Sequence, residues 1–148
     1  MSDPATRTTL QTIIRREGRS LFQYLRDVPP WIGLAEENTL ARMHECSRVQ
    51  LEELETLGRL YQKRYGEMSH MGSYPDFTGK NDQALHYLLP VVLKEQKQLI
   101  EQLQRDRAGI VDAEIGEAID RFLALKRQHI EELESLHTVP HTVRTTNV

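Results

Sequence analysis

Residues 66–79 read GEMSHMGSYPDFTG, and the use the chain makes of this segment decides its fold. Three glycines and a proline mark it as a connection rather than a helix. On either side lie long segments with apolar residues three and four apart, the spacing of a helix face. These fourteen residues reach about 45 Å when extended. A helix of about thirty residues has that length at 1.5 Å per residue. The segment can therefore close a local turn or carry the chain from one end of a helical bundle to the other.

Four segments show helical periodicity. The first, 3–26, opens on Asp3 and Pro4, an N-cap followed by proline at the first helical position. Its face reads Leu10, Ile14, Leu21, Leu25, and DVPPWIG at 27–33 stops it. The second, 34–65, carries Leu40, Met43, Ser47, Gln50, Leu54, Leu57 and Tyr61 on one seam. The third, 81–107, carries Leu85, Leu88, Leu89, Val92, Leu99 and Leu103. Pro90 inside it predicts a packing bend or a local opening. The fourth, 112–137, starts at the N-cap Asp112 and carries Ile115, Ile119, Phe122, Lys126, His129, Leu133 and Leu136. Pro140 is expected to end it, leaving 138–148 as a flexible C-terminal tail and 1–137 as one domain.

None of the four is apolar all round, so each must bury one stripe against the others. The economical solution is an all-α four-helix bundle. The first and third connections are short and suit antiparallel neighbours. The middle one is long enough for a crossover between helices 2 and 3, which would leave them parallel. An up-down-up-down bundle with a loose loop is the alternative.

Composition sets bounds on function. The 148 residues fit a single core, with 39% hydrophobic and 28% charged positions. A net charge of -3 and a pI of 6.1 argue against capture of nucleic acid or an anionic membrane. The longest uncharged apolar run, ALHYLLPVVL, is too short to span a bilayer. The first residues lack the apolar core of a signal peptide. The lone Cys46 excludes an intramolecular disulfide and fits a cytoplasmic setting.

Each helix interrupts its seam with polar residues near its middle: Glu17, then Ser47 and Gln50, then Glu95 and Gln96, then Lys126 and His129. These four interruptions should meet in the bundle centre. Charges there are costly unless paired or bound to metal. The expected network is Glu17, Gln50, Glu95, Lys126 and His129. Lys126 should sit between the two carboxylates, with His129 donating to one of them or to Gln50.

This layout resembles the ferritin-like superfamily. The stretches YPDFTGKNDQALHYLLP and FLALKRQHIEEL are also similar to bacterial bundle proteins of that type, a likeness that implies no particular activity. In di-iron members, two helices each supply a Glu and the other two each supply Glu-x-x-His. Glu17 and Glu95 match the lone glutamates, and His129 matches the last histidine. Lys126 stands where the last motif has its glutamate, in KRQH, and SRVQ replaces the other motif. With those replacements, the resemblance implies a reduced, mononuclear site of Glu17, Glu95 and His129, suited to Fe, Mn or Zn, or a degenerate di-iron one.

HEC at 44–46 cannot chelate, because consecutive helical residues point about 100° apart. MSHM at 68–71 has no second cluster of soft ligands to join. No nucleophile elbow or phosphate loop is present. The reading is a non-enzymatic structural or interaction module with no cofactor. It is expected to form a homodimer through an apolar end built from Trp31, Ile32, Tyr61 and Tyr65. The rival is a metal-binding protein, mononuclear or degenerate di-iron, with oxidoreductase chemistry open to it. The sequence names no substrate or protein partner.

Overall fold

The computed structural model describes residues 3–77 and 83–146, with side chains through residue 137. All regular structure among the described residues is helical. The elements are α1 (Pro4–Gly18), α2 (Leu21–Asp27), a 3-10 turn (Leu34–Glu36), α3 (Glu37–Tyr65), α4 (Leu85–Ala108) and α5 (Ala113–Thr146). One isolated parallel bridge joins Trp31 to Ala84.

The first predicted helix is in fact two. Asp3 caps α1, accepting from the Ala5 N–H at 3.2 Å and the Thr6 hydroxyl at 2.9 Å. Gly18 ends it, and Ser20 turns extended with φ -70° and ψ 158°. The Ser20 hydroxyl then caps α2, accepting from the Gln23 N–H at 3.2 Å. Leu21 and Leu25 continue the spacing set by Ile14, so periodicity alone hides the break. The Ser-x-x-Gln pattern of residues 20–23 is the signal that reveals it.

After α3 the chain does not turn back locally. Residues 66–77 form a strap that follows α1 and α2 in their own direction. Glu67 pairs with Arg7. Gln11 donates to the His70 carbonyl at 2.6 Å and accepts its N–H at 3.2 Å. Met71 packs on Gly18, where an added Cβ would lie 2.8 Å from its sulfur. Tyr74 donates to Asp27 at 3.0 Å, and Phe77 lies 4.9 Å from the Tyr24 ring. The Leu85 N–H finally donates to the Trp31 carbonyl at 2.8 Å.

Helix directions follow from these pairs. α3 runs against α1–α2, with Ser47 beside Gln23 and Tyr61 beside Arg7. α4 starts beside Trp31 and reaches Arg16 at Asp106, so it too opposes α1–α2. α3 and α4 are therefore parallel. α5 runs against both, pairing Asp112 with Arg64, Glu132 with Arg42, and Glu134 with Lys97.

Several boundaries differ from expectation. Residues 78–79 of the predicted loop and 81–82 of the predicted third helix lie outside the described residues, and α4 begins at Leu85. α5 continues through Pro140 to Thr146, where a stop and a flexible tail were expected. Proline removes one backbone hydrogen bond, to the carbonyl four residues back, and a long helix can absorb that loss. Residues 147–148 lie outside the described residues. The proposed grouping of Tyr61 and Tyr65 with Trp31 is wrong. Those tyrosines sit beside Arg7 at the far end of α3. Its 29 residues separate the two ends by about 43 Å.

The core is continuous. Leu10, Ile13 and Ile14 of α1, Leu54 and Leu57 of α3, Leu88 and Val92 of α4, and Ile115, Ile119 and Phe122 of α5 are essentially solvent-free. Burying each such side chain contributes about 1.5–3 kcal/mol relative to exposure. This apolar shell isolates the polar groups at mid-height.

Candidate functional site

Lys126 is fully buried. Its Nζ donates to Glu17 Oε1 at 2.6 Å and to Gln96 Oε1 at 2.6 Å. The ammonium also lies 5.3 Å from the centroid of the Phe122 ring. Placed in the middle of α5, the side chain cannot snorkel to water. Its charge is instead balanced by Glu17, which is 2% exposed. The pair is neutral as a unit, which is what makes its burial tolerable. Glu17 Oε2 and Gln96 Nε2, an acceptor and a donor on the two heads that meet Lys126, have no protein partner.

Glu95 does not face Lys126 directly. Gln96 takes that place, and its neighbour on the helix is rotated by about 100°. Glu95 turns instead to the break between α1 and α2, accepting the Leu21 N–H at 2.9 Å and the Phe22 N–H at 3.4 Å. It thus satisfies donors that the start of α2 leaves free. Burial pushes its carboxyl above the ordinary range. The two N–H bonds and the Lys126 charge pull it back, while Glu17 adds to the rise.

Gln50 Nε2 lies 3.0 Å from His129 Nδ1. An amide N–H only donates, so Nδ1 accepts and the neutral ring carries its proton on Nε2. Burial holds the imidazole below its ordinary value of 6.5, assisted by the charges of Lys126 and Arg42 and opposed by Glu132 and Glu45. Below pH 6.5 the unfolded chain binds this proton more readily than the native one. His129 therefore contributes stability that is complete above 6.5 and lost as pH falls toward its native value. The loss is at most about 1.4 kcal/mol per pH unit. Glu95, with its raised native value, acts in the opposite sense, losing stability as pH rises. In His129→Gln, which keeps an acceptor for Gln50, the loss between pH 7.5 and 5.5 should be smaller than in the parent. Urea unfolding at both pH values measures this, and equal losses would exonerate His129.

Cys46 lies outside this network. Its thiol donates to Glu132 at 3.2 Å, and Glu132 is held by both Arg42 nitrogens. Burial, followed by the Glu132 carboxylate, pushes the thiol up to about 12, so it is an inert group at neutral pH. Gln23 donates to the Ser47 carbonyl at 2.9 Å, an additional buried polar contact between α2 and α3 that the seam pattern missed.

The suggested metal ligands are not gathered. Glu17 holds Lys126, Glu95 caps α2, and His129 accepts from Gln50. Among the described residues no group of three or more His, Cys, Asp or Glu is placed to hold a metal ion. A di-metal centre draws on several anionic donors around two cations. Here a lysine ammonium occupies that position, so the donor set does not fit. Comparison with protein-family models, with curated proteins and with solved structures finds no match to this chain.

Proposed function

We propose that this chain is a ferritin-like four-helix bundle serving as a cytoplasmic, non-enzymatic structural or interaction module that forms a homodimer. The observation that carries this reading is the placement of Lys126 against Glu17 and Gln96. A solvent-excluded ion pair whose opposite charges balance fixes helix register, and a sealed centre offers no access to a substrate. The parallel α3 and α4, with a strap between them, support the ferritin-like assignment. Function then falls to the surface. Trp31 is 70% exposed, Leu34 90% and Tyr87 66%, all within a few residues of the Trp31–Ala84 bridge. Ile32 and Val91 extend the same end. A patch of this kind marks an interaction site.

Sedimentation at micromolar concentration should show a species of twice 17.2 kDa. Trp31→Glu combined with Tyr87→Glu should reduce it to the monomer. A parent that sediments only as monomer removes self-association from the reading. Elemental analysis of protein purified without chelator tests the rest. Stoichiometric iron, manganese or zinc would favour the metal-binding rival.

A further inference from the structure

Five arginines hold an acid from another part of the fold: Arg7 with Glu67, Arg16 with Asp106, Arg42 with Glu132, Arg64 with Asp112, Arg107 with Asp120. Arg15 and Arg19 hold none among the described residues. They stand one turn apart at the end of α1, and both approach Gly72 of the strap. From the point where a Gly72 Cβ would lie, Arg19 Cδ is 3.5 Å away, Arg19 Nε 3.9 Å and Arg15 Nε 4.0 Å. Two cations thus converge on one point with no counter-charge. The Arg19 Nε is shut off from solvent and has no acceptor. Arg26 of α2, whose Nε is in the same condition, is close enough to the strap for its charge to act on Tyr74.

Gly72 has φ +76°, the left-handed region that suits glycine. Without a side chain it lets the Arg19 and Arg15 side chains close to ordinary packing distance on the turn. A carboxylate is planar and is satisfied by one guanidinium fork. Two guanidiniums, one from the last turn of α1 and one from the residue that follows it, call for acceptor oxygens in more than one plane. A tetrahedral oxyanion supplies them. We propose that Arg15, Arg19 and the Gly72 turn form a binding site for a free oxyanion of the phosphate class. The site is independent of the polar core. A bound anion would bridge α1 to the strap and hold the crossover in place.

The probe is inorganic phosphate, added to the full chain at constant ionic strength and followed by NMR at the Gly72 amide and the two arginine Nε–H signals. The expected result is a saturable shift, half-complete at or below about 1 mM. Arg15→Gln combined with Arg19→Gln should weaken binding at least tenfold while the thermal melt stays cooperative. Arg127→Gln, an exposed arginine on α5, should leave binding unchanged. Non-saturating shifts matched by chloride, equal affinity for acetate, or undiminished binding in the double variant would each overturn the proposal.

Discussion

Lys126→Met should lose about 3–5 kcal/mol of stability at pH 8, the cost of leaving one partner of a buried ion pair uncompensated. The methylene stem of lysine is replaced almost isosterically, so packing changes little. What changes is charge: Glu17, 2% exposed and bound to Lys126 at 2.6 Å, loses its cation. Gln96 Oε1 loses its donor at the same time. The least costly relief is proton uptake by the orphaned carboxyl, because burial without a counter-ion disfavours its charged form. Stability of the variant is then highest at low pH and falls as pH rises, so the deficit should be clearly smaller at pH 5 than at pH 8. Adding Glu17→Leu should recover most of the loss, because replacing a whole buried pair by apolar groups is often neutral or better. Thermal and urea unfolding of the three variants at both pH values give the comparison. The rival metal reading predicts that added zinc or manganese stabilises Lys126→Met more than the parent. The present engagement of Glu95 and His129 predicts no such gain. A neutral, pH-independent substitution would mean that Lys126 is not held as a buried charge.

The sequence pattern reaches Lys126 because helical spacing places it on the seam between Phe122 and Leu133. It cannot choose Lys126's second partner. Glu95 and Gln96 both interrupt the third helix's seam, and only the rotation of α4 against α5 decides which one faces the ammonium. The role of Glu95 was hidden for a related reason. Its partners are backbone N–H groups of Leu21 and Phe22, which exist as free donors only because the first helix breaks. Side-chain periodicity carries no record of that break. The strap was legible as a length against a span. Its path was not, because the contacts that fix it are few and individually ordinary: Gln11 with His70, Met71 on Gly18, Tyr74 with Asp27. The end-to-end separation of Trp31 from Tyr65 then follows from helix direction, a quantity that composition does not express.

Deleting residues 67–76 should abolish the native fold altogether, the largest effect expected of any change to the surface of this molecule. Nineteen residues, 66–84, join α3 to α4. Their course is marked by Arg7 at one end and Trp31 at the other. Those 24 intervening steps of mostly helical chain correspond to about 36 Å at 1.5 Å per residue. The nine residues left after the deletion reach at most about 30–32 Å fully extended. The gap cannot be closed with α3 and α4 parallel, so the chain must either invert α4 or leave it undocked. Inversion would bring Gln96 and Leu88 to heights where α5 presents the wrong partners. It would also strip Glu95 from the α2 N–H groups. The expected outcome is loss of a cooperative melt and of near-ultraviolet dichroism, with helical far-ultraviolet signal retained, as in a compact but unpacked state. Inserting ten Gly and Ser residues after Gly72 should by contrast cost little beyond the slow growth of loop entropy, about 1 kcal/mol or less. A two-turn hairpin joining antiparallel neighbours would tolerate both changes. A deletion variant that melts cooperatively near the parent temperature would therefore show that α3 and α4 are not parallel.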